Sequence, residues 1–459
     1  MRRDAEKTLV DWYKRKVRKP LVIRGARQVG KSTLVSNFAK RQGLSLLEIN
    51  CEQHSHLDAV FKTFDLDKII QELEFIARKK IGGDNSLLFL DEIQATPHAL
   101  AALRYFYEKK PQLPVVAAGS LLEFALNDHD YSMPVGRVEY LHLGPMNFME
   151  FLDAQDERAL LDYLRTYSRG IAPSTVAHDK LLYHLRNYLL VGGMPEAISS
   201  FIEDQSTNGV VSAVHFSILE TYRDDFGKYG SKKDLPLIHK AFDYLPTAVG
   251  RRVKYINIDP NSRSGPLKRA VDLLEYARLM CRVCHSSASG IPLAATVNDR
   301  VFKPLWLDVG LMNAACGISS IRHDQFLERR FVNEGSMAEQ FIGQHLLYQQ
   351  SPAKRPSLYY WVRQGRSSNA EVDYVCQVGT VIVPIEVKAG KSGSLKSLQQ
   401  FAYAKKSPLA IRFDLNQPSS VHVKHKIRVG TKNQEVAYQL ISLPLYMVDC
   451  MPTVVSALI

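Results

Sequence analysis

Gly25-Ala26-Arg27-Gln28-Val29-Gly30-Lys31-Ser32 fits the pattern G-x-x-x-x-G-K-[ST] in full, with the apolar run Leu21-Val22-Ile23-Arg24 before it and the helical stretch Ser32 to Lys40 after it. A Gly-rich turn from strand to helix lets backbone N–H groups point inward, and the helix N-terminus adds a positive dipole, so the loop suits a polyphosphate. Lys31 is placed to reach the β/γ-phosphates and Ser32 to ligate Mg²⁺. Gly25, Gln28, Gly30 and Thr33 complete the candidate contacts to the nucleotide, for which ATP is the expected identity.

Working outward, Leu87-Leu88-Phe89-Leu90-Asp91-Glu92 reads as a buried strand ending in two carboxylates. Two acids at a strand tip need a counter-charge. Asp91 is expected to hold Mg²⁺ through its water shell and Glu92 to polarise the attacking water as general base, which points to hydrolysis rather than binding alone. Short apolar runs at Pro20 to Arg24, Ser45 to Asn50, Ser86 to Leu90 and Pro114 to Gly119 alternate with helix-length segments. That alternation predicts an α/β fold with a parallel sheet covered on both faces.

The 459 residues include 59 Lys+Arg against 47 Asp+Glu, with 46% apolar and 23% charged residues, which excludes disordered and fibrous classes. At roughly 150 residues per domain the length predicts about three domains. The net charge of +12 suits an anionic partner without naming one. No run reaches the roughly 18 apolar residues that span a bilayer, and the N-terminus carries charges where a signal peptide needs an apolar core. A cytoplasmic protein with no membrane association is therefore expected. Six cysteines at 51, 281, 284, 316, 376 and 450 are too scattered for a disulfide framework. Cys281-Arg282-Val283-Cys284-His285 has the spacing of a haem attachment site, but no second Cys/His pair lies at zinc-finger spacing, and the alternating segment from Ala277 predicts a strand with buried thiols.

Beyond Pro145 the period becomes helical to Lys228, interrupted at Gly192-Gly193-Met194-Pro195. Residues 234 to 310 then read as helix, short strand, helix and two strands, the order of a winged helix-turn-helix. The last segment predicts a helix from Gly335 to Gln350, strands at Leu358 to Val362, Glu371 to Gln377 and Val381 to Glu386, and a helix from Leu395 to Lys405. The predicted division is 1–145 for the nucleotide-binding core, 146–228 for a helical lid, 229–315 for the winged helix and 316–459 for a second α/β domain.

RGARQVGKST, LLFLDEIQ, the strand VVAAGS, the Gly136-Arg137 pair ahead of LGPMNFMEFL, and GGMPEA together resemble the prokaryotic AAA+ ATPases that carry a C-terminal region of unknown function. The resemblance implies a P-loop AAA+ core with a helical lid and homo-oligomeric assembly. It also implies that Ser120 is the polar sensor beside the γ-phosphate, Arg137 a sensor or trans-acting arginine, and Pro195 the lid proline near the base.

In the last segment Asp373 lies on one predicted strand and Glu386 and Lys388 on the next, so two acids and a lysine converge. The acids would hold Mg²⁺ and the lysine would orient or deprotonate a water, with Glu339 on the opening helix as a third carboxylate. The order of elements and residues resembles the PD-(D/E)xK restriction-endonuclease-like fold, which implies a metal-dependent nuclease site. Lys391, Lys396, Lys405 and Lys406 surround it and suit a phosphate backbone. The reading is an Mg²⁺-dependent ATPase coupled to a nuclease-like domain, with DNA as the favoured partner, reached in part through Lys254, Arg263, Lys268 and Arg269 of the winged helix. Two rivals stand beside it. One is an ATP-driven switch whose last domain clamps nucleic acid or protein without cutting, and the other an adaptor whose winged helix binds another protein.

Overall fold

The short β-branched and leucine-rich runs at the centre of the first sheet are strands because they are buried from both sides. The computed structural model describes residues 1–81, 85–127, 134, 136–167, 174–203, 208–318, 334–363, 370–390, 395–429 and 432–458. They form two compact units. The first is Met1–Pro145 with Tyr276–Leu279 and Gln350–Pro356, and the second is Met146–Glu275, Met280–Gln349 and Ser357–Ile459.

The first unit carries β1 (Leu21–Arg24), β2 (Ser45–Asn50), β3 (Ser86–Asp91), β4 (Val115–Gly119) and β5 (Glu139–His142). They form a wholly parallel sheet in the order β2-β3-β4-β1-β5. The four strands expected from sequence are present within a residue or two, and β5 is an addition. Its Glu-Tyr-Leu-His pattern buries only Leu141 fully, so an edge strand of this kind carries little apolar signal. Every position of β3 is buried, and its Leu88 and Leu90 pack with Val22, Ala117, Phe61 and Phe106. Truncating either leucine to alanine would cost about 2–5 kcal/mol. The strand order brings the C-terminal ends of β1, β3 and β4 to one edge, the place where open parallel sheets bind ligands.

In the second unit β6 (Val253–Lys254), β7 (Met280–Ser286), β8 (Val297–Trp306), β9 (Tyr359–Val362), β10 (Glu371–Val378), β11 (Val381–Val387), β12 (Leu409–Asp414), β13 (Ser419–Val429) and β14 (Lys432–Pro444) form one sheet. Its order is β13-β14-β12-β11-β10-β9-β7-β8-β6. The helices Leu235–Thr247 and Ser264–Tyr276 with β6, β7 and β8 follow the element order expected for the winged region. The sequence division placed a boundary between that region and the last domain. In the structure the sheet runs across it, because β7 pairs in parallel with β9 at Cys284↔Tyr359 and His285↔Tyr360. The strand expected from Val253 to Ile256 is cut short by a 3₁₀ turn at Tyr255–Asn257, and the long β13–β14 hairpin was not anticipated.

Buried polar groups fix the helices beside this sheet. Asp308 is fully buried; one of its oxygens accepts from Gly310 N and Leu311 N, and the other accepts from Gly193 N at 2.6 Å and Gln344 Nε2 at 3.1 Å. Gly192 adopts φ 74°, and a Cβ there would collide with the Asp308 carboxylate, which explains the glycine pair in the GGMPEA turn. His345 accepts from Phe148 N at 2.9 Å through Nε2, while its Nδ1 donates to Phe341 O at 2.8 Å. Burial therefore pushes this imidazole down to about 4. Among the described residues no helix is long and apolar enough to cross a membrane.

Candidate functional site

The loop after β1 runs into the helix Lys31–Arg41, whose N-cap Gly30 has φ 88°. Gln28 also takes a positive φ of 63° and projects to solvent, as does Thr33. Gly25 packs so closely on the Leu143 carbonyl that no Cβ fits there. Arg3 braces the loop from outside, donating to Val29 O at 2.8 Å and Gly144 O at 2.7 Å, a role that its distance in sequence concealed.

Lys31 is 6% exposed, and its Nζ folds back to donate to Ala26 O at 2.8 Å and Gly25 O at 3.3 Å. Burial lowers this amine to about 8, against the pull of Glu92 and Asp91. A buried cation held only by carbonyls is short of anionic partners, which is the condition a phosphate relieves. Ser32 Oγ donates to Asp91 Oδ2 at 2.5 Å, so the two expected Mg²⁺ ligands meet at the C-terminal edge of the sheet. Burial raises the Asp91 carboxyl, with the Ser32 bond opposing. A hydroxyl and a carboxylate are hard oxygen donors, and the pair suits Mg²⁺ completed by phosphate oxygens and water.

Glu92 follows β3 in a left-handed conformation, φ 47° and ψ 44°, which turns its side chain back toward the end of β4. Its Oε2 accepts from Gln94 Nε2 at 2.5 Å, Ser120 Oγ at 3.3 Å and Ser120 N at 3.5 Å. Ser120 is buried, so the expected sensor residue and the expected base are in contact. Gln94 was not singled out from sequence, although it lies two residues beyond the base in LLFLDEIQ. Arg137 lies on the surface of this unit, where its Nε meets Glu108 Oε1 at 2.9 Å and its guanidinium stands over the Tyr107 ring. Pro195 opens the helix Pro195–Glu203 in the second unit.

The acid constellation of the second unit is also assembled. Tyr374 pairs with Ile385 across β10 and β11, which brings Asp373 and Glu386 close. Asp373 Oδ2 accepts from Val387 N at 2.8 Å. Lys388, one residue past the end of β11, donates to Glu386 Oε1 at 2.5 Å, while Glu386 Oε2 is buried without a hydrogen-bond partner. Burial and Asp373 raise the Glu386 carboxyl to about 7.

One member was missed by the sequence reading. Lys303, on β8, reaches into the cluster with its side chain 2% exposed. Its Nζ lies 2.7 Å from Glu339 Oε2, 3.4 Å from Asp373 Oδ1 and 3.4 Å from Glu371 Oε1. Burial alone would lower this amine, but Glu339, Asp373 and Tyr374 outweigh it and hold it well above the usual lysine range. Burial and Asp373 raise the Glu339 carboxyl to about 8 even with the ammonium beside it. Glu371 takes a second cation, Arg252, at 3.0 Å. The expected Mg²⁺ ligands Glu339, Asp373 and Glu386 are thus divided between two lysines. Among the described residues no group of three His, Cys, Asp or Glu side chains is arranged to hold a metal ion. The residues do not fit a divalent metal here.

Other expected contacts fall out differently. On the helix Ser264–Tyr276, Arg269 pairs with Asp234 at 3.3 Å, and Lys268 stands 3.7 Å from both Asp272 and Asp299. Cys281 and Cys284 lie on β7 half-buried rather than buried, and burial raises the Cys284 thiol to about 11, so it stays protonated at neutral pH. Lys391 lies outside the described residues, Lys396 begins the helix that ends at Lys405, and Lys406 caps it.

Comparison with known proteins accords with the geometry of the first unit. Residues 17–152 match the family model described as AAA domain. Residues 182–322 and 334–446 match two models described as domains of unknown function, DUF8612 and DUF4143. No curated protein matches the chain. Among solved structures it is similar to AMPPCP-bound DnaA from Aquifex aeolicus, at 13% identity over 60% of this chain and 86% of that one, with a TM-score of 0.25. It is also similar to the Thermotoga maritima RuvB Holliday junction branch migration motor, at 16% identity over 61% and 89%, with a TM-score of 0.26. Residues 17–152, which carry the P-loop, β3 and β4, thus match an AAA domain, the type of domain that binds ATP.

Proposed function

We propose that the protein is an Mg²⁺-dependent AAA+ ATPase that works as an ATP-driven switch on nucleic acid, with DNA favoured, and as a homo-oligomer. The observation that carries the reading is the convergence of Lys31, the Ser32–Asp91 pair and the Glu92–Ser120 contact on one sheet edge. In this reading Lys31 leaves the loop carbonyls for the β/γ-phosphates, and Ser32 and Asp91 hold Mg²⁺, which would neutralise charge on the phosphates. Glu92 must leave Gln94 and Ser120 to polarise the attacking water, so it is held in check until the nucleotide arrives. Arg137 would leave Glu108 to act on the nucleotide of a neighbouring subunit, and Pro195 is assigned to the lid. The working division remains 1–145, 146–228, 229–315 and 316–459, with the winged helix and the nuclease-like region on one sheet.

The basic face of β13 supports a polyanionic partner. His422, Lys424 and Lys426 are exposed at alternate positions and therefore share one face of an edge strand, opposite Gln439, Ala437 and Glu435 of β14. This stripe supports DNA contact better than Lys268 and Arg269 do, since those two are engaged by acids.

The test is ATP turnover and DNA binding by the purified full chain with Mg²⁺, with and without plasmid, at about 50 and 200 mM salt. Turnover that requires Mg²⁺, and DNA binding that weakens at least about tenfold across that salt range, are expected. Lys424→Glu with Lys426→Glu should weaken DNA binding by a similar factor and leave basal turnover unchanged. Absence of ATP turnover would overturn the ATPase reading, and salt-independent or absent DNA binding would overturn the partner.

A further inference from the structure

The C-terminal acid cluster already contains its cation. Four carboxylates from three elements meet there: Glu339 from the helix Glu334–Tyr348, Glu371 and Asp373 from β10, and Glu386 from β11. Isolated from water, such a group must recruit positive charge or protons. A metal-dependent phosphodiesterase would leave the central position to a divalent ion with open coordination sites for water and substrate. Here the long side chain of Lys303 crosses from β8 and puts Nζ within 3.4 Å of oxygens from Glu339, Glu371 and Asp373.

We propose that the Lys303 ammonium stands permanently where a divalent metal would have to sit, so that the cluster is a structural ionic lock and the domain does not cleave phosphodiesters. Three features support it. First, the lysine is placed by secondary structure rather than by a loop: β8 is held between β6 and β7, at Val253↔Phe302 and Val283↔Lys303, so the backbone that aims the side chain at the acids is fixed by the ladder. Second, three further acid oxygens are already engaged, and Glu386 Oε2 alone is buried without a hydrogen-bond partner. Asp373 Oδ2 takes Val387 N, Glu371 Oε2 takes Arg252 and Glu386 Oε1 takes Lys388. A metal would have to displace these partners as well as the ammonium. Third, the charge is right for a lock: a single ammonium replaces a divalent ion because Lys388 and Arg252 supply two further positive charges at the rim. Lys303 also stands over the Tyr374 ring, whose hydroxyl donates to the Glu339 backbone carbonyl at 2.8 Å, so the helix, β8 and β10 are tied at one point. The fold of a nuclease-like domain would then be retained without its chemistry.

The experiment measures Mn²⁺ uptake by electron paramagnetic resonance on nucleotide-free full-length protein, comparing wild type, Asp373→Asn, Lys303→Met, and Lys303→Met combined with Asp373→Asn. Wild type and Asp373→Asn are expected to take up the same amount, because the cluster contributes no metal site. Lys303→Met removes the built-in cation and should gain a site at least tenfold tighter than any in wild type, and the double variant should lose it again. Lys303→Arg should keep the wild-type behaviour. Uptake by wild type that disappears in Asp373→Asn would overturn the proposal, as would a folded Lys303→Met that binds no more Mn²⁺ than wild type. If Lys303→Met does not fold, the comparison of wild type with Asp373→Asn decides the matter alone.

Discussion

Replacing Lys31 by methionine should raise the stability of the nucleotide-free protein while destroying its response to ATP. The Lys31 ammonium is buried against Ala26 O and Gly25 O, and its pKa falls from 10.5 to about 8. A depression of that size corresponds to roughly 3 kcal/mol of differential cost for the charged form. At pH 7 the lysine is charged in both the folded and the unfolded chain, so the empty loop bears the whole cost. As pH rises from about 8 to 10.5 the folded protein releases the proton before the unfolded chain does, and stability recovers through that window. Methionine removes the ion together with its two carbonyl contacts, leaving a net gain of about 1–2 kcal/mol, or about 3–6 °C in melting temperature. Addition of ATP and Mg²⁺ reverses the comparison. Wild type gains about 2.7 kcal/mol at a hundredfold excess over Kd, whereas the variant, lacking charge-assisted bonds to phosphate, should bind about a hundredfold more weakly and gain almost nothing. Thermal melts of both proteins at pH 7 and pH 9.5, with and without ATP and Mg²⁺, read all of this. A variant that melts several degrees below wild type without nucleotide would refute the argument, because the buried ammonium would then be a net asset to the empty loop.

Glu92→Gln should bind ATP within a fewfold of wild type and lose at least about a hundredfold in turnover, whereas Gln94→Ala, which frees Glu92 from one of its restraints, should raise basal turnover or leave it near wild type. A Glu92→Gln protein that hydrolyses ATP normally would remove the residue from the role of base. Mixing Arg137→Ala subunits with Lys31→Ala subunits should restore part of the ATPase activity through hybrid interfaces, and full turnover by a monomeric wild type would contradict that. Acid should destabilise the second unit through His345. Its folded pKa of about 4 lies below the unfolded value of 6.5, so the stability of the neutral ring is present above pH 6.5 and is lost as pH falls toward 4, by about 3 kcal/mol in total. His345→Gln should flatten that part of the pH–stability profile, and an unchanged profile would assign the acid sensitivity elsewhere.

The local chemistry of this protein is legible in its sequence. The P-loop was legible because its pattern is eight contiguous residues between a strand and a helix, and backbone conformation there follows from glycine and from helix start. The strands β1, β3 and β4 were legible because burial on both faces leaves an unbroken apolar run. Asp373, Glu386 and Lys388 were found in advance because one hairpin joins them, and period-two alternation fixes which face each shares. Tertiary structure decided what sits beside those residues. Ser120 meets Glu92 only because β3 and β4 are neighbours, and Arg3 braces Val29 from 26 positions away. Lys303 lies 36 residues from Glu339 and 70 from Asp373, on a strand expected to belong to another domain, and it reads in sequence as one more solvated lysine. Its burial depends on β7 pairing with β9 and so joining two expected domains into one sheet. Strand order is a non-local property, set by which faces can be covered together, and no local pattern of apolar residues encodes it. Residue types announced a site that could hold a cation, and the order of the strands supplied the lysine that fills it.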